Sequence, residues 1–281
     1  MYKEVNKMKG LENLANMEYP GRFIVIGWDP NGLNEIIVYG VTGRSPSSQA
    51  REIVENKGID GLALKTNPTD PEALKKGKKE LLIYNCIRTV GPQGEYAFIV
   101  SNGAQTDLIH RFYEGISLGH VPNPMETLAR AFANPCEEGE IDIAEYEPDE
   151  PNYTPRISGI ITPEGAALHI VKSAENMSPE KQIFGFPLIP GKGKLIATYT
   201  GENKDPLPSF QGLPFDVELP LDVDDELPDS LVELAESFYQ ALNPDFRVSV
   251  TAICYDREAD EPIGLDKAYS YHIINRHERG E

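Results

Sequence analysis

Two short stretches set uncommon polar side chains at the ends of apolar runs. Residues 83–90 carry Tyr84, Asn85 and Cys86; residues 96–107 carry Ser101, Asn102, Gly103, Thr106 and Asp107. A tyrosine hydroxyl can donate a proton to a developing oxyanion, and an asparagine amide offers both donor and acceptor to a carboxamide. A third stretch, residues 42–48, sets Arg44 among small residues and opens toward an expected helix. Such a loop can present N–H groups and a guanidinium to an anion. Each stretch has a plainer reading as well: satisfied core polar groups for Tyr84 and Asn85, strand packing for Cys86, a helix cap for Asp107, and a solvated loop arginine for Arg44.

The elements that must position these groups are mostly strands. Leu81, Leu82, Ile83 and Ile87, then Tyr96, Phe98, Ile99 and Val100, predict a buried strand pair joined by a turn at residues 91–94. Further strands are expected over 22–27, 35–41, 158–161, 165–171, 193–199, 246–255 and 268–274, with 62–64 as a short edge strand. Helices are expected over about 49–56, over 106–113 and after Asn123, where Pro124 and Glu126 complete a capping-box pattern. Leu231, Leu234, Phe238 and Leu242 recur at helical spacing over 230–242, with Ser230 and Glu233 as a second capping box. Strands in hairpins, with helices inserted and no βαβ alternation, predict an α+β sandwich of antiparallel sheets covered by helices.

The 281 residues, 40% apolar, suffice for a full core, and no linker divides them, so one domain over 1–281 is expected. Residues 1–18 read as a short helical or frayed extension, and the tail over 275–281 as frayed. Residues 200–229 hold five prolines and nine acids against Lys204 alone, and read as a surface loop packed by Phe210, Phe215 and leucines. That stretch and residues 137–150 carry −8 each of the net charge of −19, leaving −3 for the rest. A nucleic-acid polymer or an anionic membrane is therefore an unfavourable partner, whereas a small phosphorylated ligand fits a pocket lined by arginines. Cys86, Cys136 and Cys254 are odd in number and form no C-x-x-C pair, and no run approaches the roughly 20 apolar residues of a membrane span. A cytoplasmic protein with reduced thiols is expected, and association into a homo-oligomer is left open.

General catalytic patterns are missing: there is no phosphate-binding G-x-x-x-x-G-K-[ST], no G-x-S-x-G, no H-E-x-x-H and no metal-spaced Cys/His cluster. The five histidines are scattered and read as structural or surface groups, and residues 191–194 as a lysine-decorated turn. What remains is an ordered series of short motifs: Tyr19-Pro-Gly-Arg-Phe-Ile-Val-Ile-Gly27, Val41-Thr-Gly-Arg-Ser45, Tyr84-Asn-Cys86, Val100-Ser-Asn-Gly103 with Thr106-Asp107, and Tyr146-Glu147 leading to Tyr153-Thr-Pro-Arg-Ile157. In content and order these resemble the archaeal-type inosine monophosphate (IMP) cyclohydrolase family, over a span from about Tyr19 to Ile161.

The resemblance implies an αββα sandwich of the N-terminal-nucleophile-hydrolase type, here without a processed nucleophile. It also implies a reaction, closure of a formamido-imidazole-carboxamide ribonucleotide to IMP with loss of water, as a hydrolase of cyclic amidines. That chemistry rests on positioning and preorganised donors and calls for no metal or cofactor. At the matching positions, Arg44 is assigned to the 5′-phosphate with Arg51 and Arg22, and Tyr84 to proton donation. Asn102 and Asn85 are assigned to the carboxamide, with Asp107 beside them, Arg156 to negative charge, and Glu147 to the base, with Asp149 and Glu150 as substitutes. Glu147 also reads as one more solvated acid. Two positions depart from the family pattern: Gly40 and Gln49 stand where arginines are expected, with Arg51 two places late. A related enzyme acting on another amide, or a non-catalytic nucleotide-binding protein, remain the alternatives.

Overall fold

The computed structural model describes residues 8–59, 61–70, 72, 79–90, 96–116, 122–133, 137–138, 141–221, 227–256 and 269–280. Strands are labelled in chain order. Among the described residues one antiparallel sheet joins six strands in the order β13 (Phe215–Glu218), β12 (Lys192–Ala197), β1 (Arg22–Trp28), β2 (Asn34–Thr42), β14 (Arg247–Asp256) and β15 (Tyr269–Asn275). The second has seven: β11 (Pro179–Phe186), β10 (Gly165–Ser173), β9 (Arg156–Thr162), β6 (Ala97–Ser101), β5 (Asn85–Val90), β4 (Ala63–Pro68) and β3 (Arg51–Glu55). A small ladder pairs β7 (Glu137–Glu138) with β8 (Ile141–Asp142).

Strands β1, β2 and β14 are buried along nearly their whole length, the pattern of strands covered on both faces. On one face lies a helix over Leu227–Ala241, whose Phe238 stacks on Phe23 with ring centroids 5.8 Å apart. The other face meets the second sheet. There the hydroxyls of Tyr39 and Tyr84 are 3.0 Å apart, and Tyr96 donates to Glu35 Oε1 at 2.7 Å. The outer face of the second sheet is covered by helices over Gln105–Ile116 and Pro124–Ala131, whose Ile109, Tyr113, Leu128 and Ala131 pack on Ile99, Ile160 and Val171. Asn123 caps the second of these, accepting from the N–H groups of Met125 and Glu126, while the Glu126 side chain turns to Arg130 instead of closing a capping box. The chain is α+β, and two antiparallel sheets with helices on their outer faces are compatible with the sandwich expected.

Several local expectations are corrected. The helix expected over 49–56 is a single turn over Pro46–Gln49 followed by β3, because Arg51 and Ile53 point inward in alternation and Asn275 pairs both backbone groups of Ile53. Residues 62–64 lie in or beside β4, which is internal, between β5 and β3. Leu81 and Leu82 belong to a helical turn over Lys79–Leu82, and the strand begins only at Asn85. Strand β11 had no sequence counterpart. The acidic excursion is more than a surface loop: it supplies β13 to the first sheet and buries Leu207, Phe210, Leu219 and Leu221. Ser230 sits inside its helix, not at the cap. The tail forms a 3-10 turn over Arg276–Arg279 that Arg279 ties to Glu236. The turn at 91–94, Cys136, His120 and residues 1–7 lie outside the described residues. His169 is buried against Phe132, and burial pushes its imidazole down to about 3, so it stays neutral. Among the described residues, no helix is long and apolar enough to cross a membrane.

Candidate active site

Two cavities adjoin and share Leu81 as a wall. The first, about 370 Å³, is bordered by Tyr84, Asn85, Asp107, Arg156, Lys65 and Asn56, among others. Tyr84 is set by its backbone, whose N–H donates to Thr66 Oγ1 and whose carbonyl accepts from the Thr66 N–H, fixing it to β4. Its hydroxyl then reaches Tyr39 from the other sheet. Burial holds the Tyr39 hydroxyl protonated well above the usual tyrosine range, and the neighbouring Tyr84 and Cys86 add to the shift. Burial likewise pushes the Cys86 thiol up, and its Sγ donates to Leu64 O at 3.3 Å, the surroundings of a packing residue.

Beside Tyr84, Asn85 is fully engaged. Its amide donates to both oxygens of Asp107 at 3.1 Å and its carbonyl accepts from Asn56 at 2.9 Å, while Arg88 pairs with Asp107 at 3.1 Å. Asp107 lies in the first turn of its helix, so this network ties the helix start to β5.

Arg156 is 1% exposed and held from three sides: Nε donates to Glu145 O at 2.7 Å, Nη1 to Gln105 Oε1 at 3.1 Å, and Nη1 lies 3.9 Å from Glu147. Gly103 makes room for this, since a Cβ there would come within 2.5 Å of Gln105 Oε1 and 2.7 Å of Arg156 Nη1. Asn102 borders neither cavity. It donates to Pro155 O at 2.8 Å and accepts from the Ile157 N–H at 2.8 Å and from Gln105 at 2.9 Å. Both sides of Arg156 are thus clamped by one buried amide. Removing it in Asn102→Ala strands the Ile157 donor and the Pro155 acceptor; the expected loss is about 2–3 kcal/mol, read as a lower urea midpoint.

The second cavity, about 310 Å³, is bordered by Arg22, Arg44 and Arg51, by Ser45, Ser47 and Ser48, and by Glu147 and Tyr199, among others. Arg22 faces it from β1, and its Nη2 donates to Glu147 Oε1 at 3.0 Å. Glu147 is only 3% exposed and touches guanidiniums belonging to both cavities. Burial raises its carboxyl above the ordinary range; Arg22 and Arg156 pull it back, and Asp149 pushes it up again. Burial lowers the Arg156 guanidinium, with Glu147 opposing. Asp149 borders the same cavity, with Thr154 donating to both its oxygens, at 2.6 and 2.5 Å. The Ser45 hydroxyl accepts from the Ser48 N–H inside a four-residue turn, so that N–H is not offered outward. Arg44 bonds to Asp205, Lys204 and Asn203 of the acidic excursion.

The residues assigned from the sequence therefore gather, apart from Asn102: Tyr84, Asn85, Asp107 and Arg156 at one cavity, Arg22, Arg44, Arg51 and Glu147 at the other. The two departures from the family pattern have structural accounts. A Cβ at Gly40 would meet the Phe23 ring at 2.0 Å, on the face that Phe23 shares with Phe238, so a side chain there would point away from the cavities. Gln49 bridges the carbonyls of Gly43 and Asp245, and Arg51 borders the arginine cavity in its place. Tyr39, Gln105 and Lys65 were not singled out from the sequence; Gln105 alone left a trace, three residues past Asn102 at a helix start. Among the described residues, no cluster of three His, Cys, Asp or Glu is arranged to hold a metal.

Fold and site together define an α+β protein of two facing antiparallel sheets with a paired cleft, one half rich in arginine and the other bordered by tyrosine, asparagine and mixed charges. A family model described as IMP cyclohydrolase-like protein matches residues 19–259, most of the chain, and the chain belongs to that family. A search of curated proteins found no match. The match runs well beyond the motifs that end near Ile161, and family membership supports a cyclohydrolase-like function.

Proposed function

We propose that this protein closes the purine ring of 5-formamidoimidazole-4-carboxamide ribonucleotide, giving IMP with loss of water. The observation that carries this reading is the paired cleft: Arg22, Arg44 and Arg51 border one cavity, Tyr84 and Arg156 the next, and Glu147 touches both sets. The volumes, about 310 and 370 Å³, suit a ribonucleotide laid across both. The 5′-phosphate sits with the arginines and the imidazole with Tyr84. Ring closure requires the carboxamide nitrogen to attack the formyl carbon; the oxygen gains charge, and hydroxide then leaves with a proton. Arg156, held by Gln105 and Glu145, is the fixed positive charge for that oxygen. Tyr84 donates the proton, and Glu147, raised by burial, is the acceptor for the proton shed by nitrogen. Asn85, engaged on both sides, and Asn102, clamped around Arg156, act by positioning.

The test is direct. Purified protein is mixed with the formylated ribonucleotide, and ring closure is followed by its ultraviolet change. Wild type is expected to turn over, and Arg44→Ala to raise KM about tenfold with a smaller change in kcat, the signature of lost ground-state binding. The absence of both turnover and calorimetric binding would sink the proposal; binding without turnover would favour a non-catalytic nucleotide-binding protein. A second reading, a different amide without a phosphate, is favoured by one observation, the carboxylate of Asp205 already bonded to Arg44.

A further inference from the structure

Arg44 is bonded to an anion of the protein itself. Its Nη2 donates to Asp205 Oδ1 at 2.8 Å and its Nη1 to Lys204 O at 3.1 Å and Asn203 Oδ1 at 3.4 Å, with the guanidinium 5.9 Å from the centre of the Tyr19 ring. The segment that brings these acceptors is anchored on both sides. Asn203 donates to Glu18, and Leu207 is buried with Tyr19 and Tyr199 while its N–H donates to Asn152 Oδ1 at 3.0 Å. Leu207 and Asn152 themselves border the arginine cavity. The carboxylate is nevertheless open to solvent: the Asp205 side chain is 77% exposed against 29% for Arg44. An ion pair that exposed, made through one oxygen, is weak and screened by salt.

We propose that Asp205 competes with a ligand's anionic group for Arg44 and so sets how readily the arginine cavity takes up an anion. The inference rests on the reading that the arginine cavity takes a phosphate. A weak internal competitor lowers the affinity of Arg44 for every anion by the same factor. Inorganic phosphate, whose contacts are confined to the arginine cavity, thereby needs a higher concentration to fill it. A nucleotide that also occupies the Tyr84 cavity has further contacts with which to overcome the competition. Arg51 meets the incoming phosphate as well, since it borders the cavity with its Nε donating to Ser48 O at 2.9 Å. When phosphate binds, Asp205 needs only to swing into the solvent that already surrounds it.

Calorimetric titration of the full chain with inorganic phosphate, inosine 5′-monophosphate and inosine tests this. Asp205→Asn is expected to bind inorganic phosphate and the monophosphate about two- to fivefold more tightly, the range of an exposed ion pair. Inosine affinity should not change, and the gain should shrink as salt is raised. On an Arg44→Ala background the same substitution should give no gain, which assigns the effect to this pair. Arg44 should also react faster with phenylglyoxal in Asp205→Asn, read by peptide mass spectrometry. Unchanged or weaker phosphate binding, an equal gain for inosine, or an unchanged rate of Arg44 modification would each overturn the proposal. Absence of ring closure by wild type, with the phosphate gain intact, would instead remove the reaction and leave the competition standing.

Discussion

Replacing Tyr84 by phenylalanine is expected to lower turnover of the formylated ribonucleotide by about 10²–10⁴-fold. The dissociation constant should stay within about threefold, because the ring and its packing remain and only a transition-state contact is removed. Tyr84 borders the 370 Å³ cavity, and its hydroxyl lies 3.0 Å from the Tyr39 hydroxyl, which burial holds protonated. Tyr39→Phe provides the companion measurement: Tyr84 keeps its hydroxyl but loses its orienting partner, so kcat should fall by a smaller factor. Single-turnover absorbance separates chemistry from binding in both variants. A Tyr84→Phe enzyme with near-normal kcat would move proton donation to another group.

Removing Arg22 is expected to have the largest effect on stability, about 3–5 kcal/mol near pH 7, because it leaves the carboxylate of Glu147 buried without its closest partner. The sign of the pH dependence follows from Glu147. Burial raises its carboxyl in the folded protein, while the unfolded chain returns it to the ordinary value. The folded state therefore holds this proton more tightly. Its contribution is most favourable below the ordinary carboxylate range and is lost as pH rises through the raised folded value. Arg22 limits that loss by pulling the carboxyl down, so in Arg22→Ala the loss is deeper and extends to higher pH. Urea midpoints for wild type and variant should differ little near pH 4.5 and most near pH 7.5, and adding Glu147→Gln to Arg22→Ala should restore much of the deficit. Equal deficits at both pH values, or no recovery in the double variant, would show that Arg22 acts through packing alone.

How much of this was legible in the sequence depended on whether the deciding contact was local. The strands β1, β2, β9 and β14 announce themselves as β-branched apolar runs. Arg51 to Glu55 does not: a serine cap followed by Gln49 and Ala50 imitates a helix start, and the decision for strand comes from β4 and from the amide of Asn275, 222 residues away. Strand β13 is hidden in a proline-rich acidic stretch because only its pairing with β12 makes it a strand. The site divides in the same way. Arg22, Tyr84, Glu147 and Arg156 could be found through short motifs in order. Tyr39 could not, since on β2 it reads as one more apolar strand residue until the second sheet arrives opposite it. Gly40 could be weighed only once the face of β2 that it occupies was known.

Few of the contacts that define the paired cleft are local. Tyr39 meets Tyr84 across 45 residues, Arg22 meets Glu147 across 125, and Arg44 meets Asp205 across 161. Loops of that size lose entropy on closing before their contacts form, so such pairings belong to the late part of a folding reaction. A partly folded or truncated chain can hold hairpins and helices and still have no cleft. On the proposed function, the ability to bind arrives with the last long-range closures, and a binding signal is expected to report that folding has gone to completion.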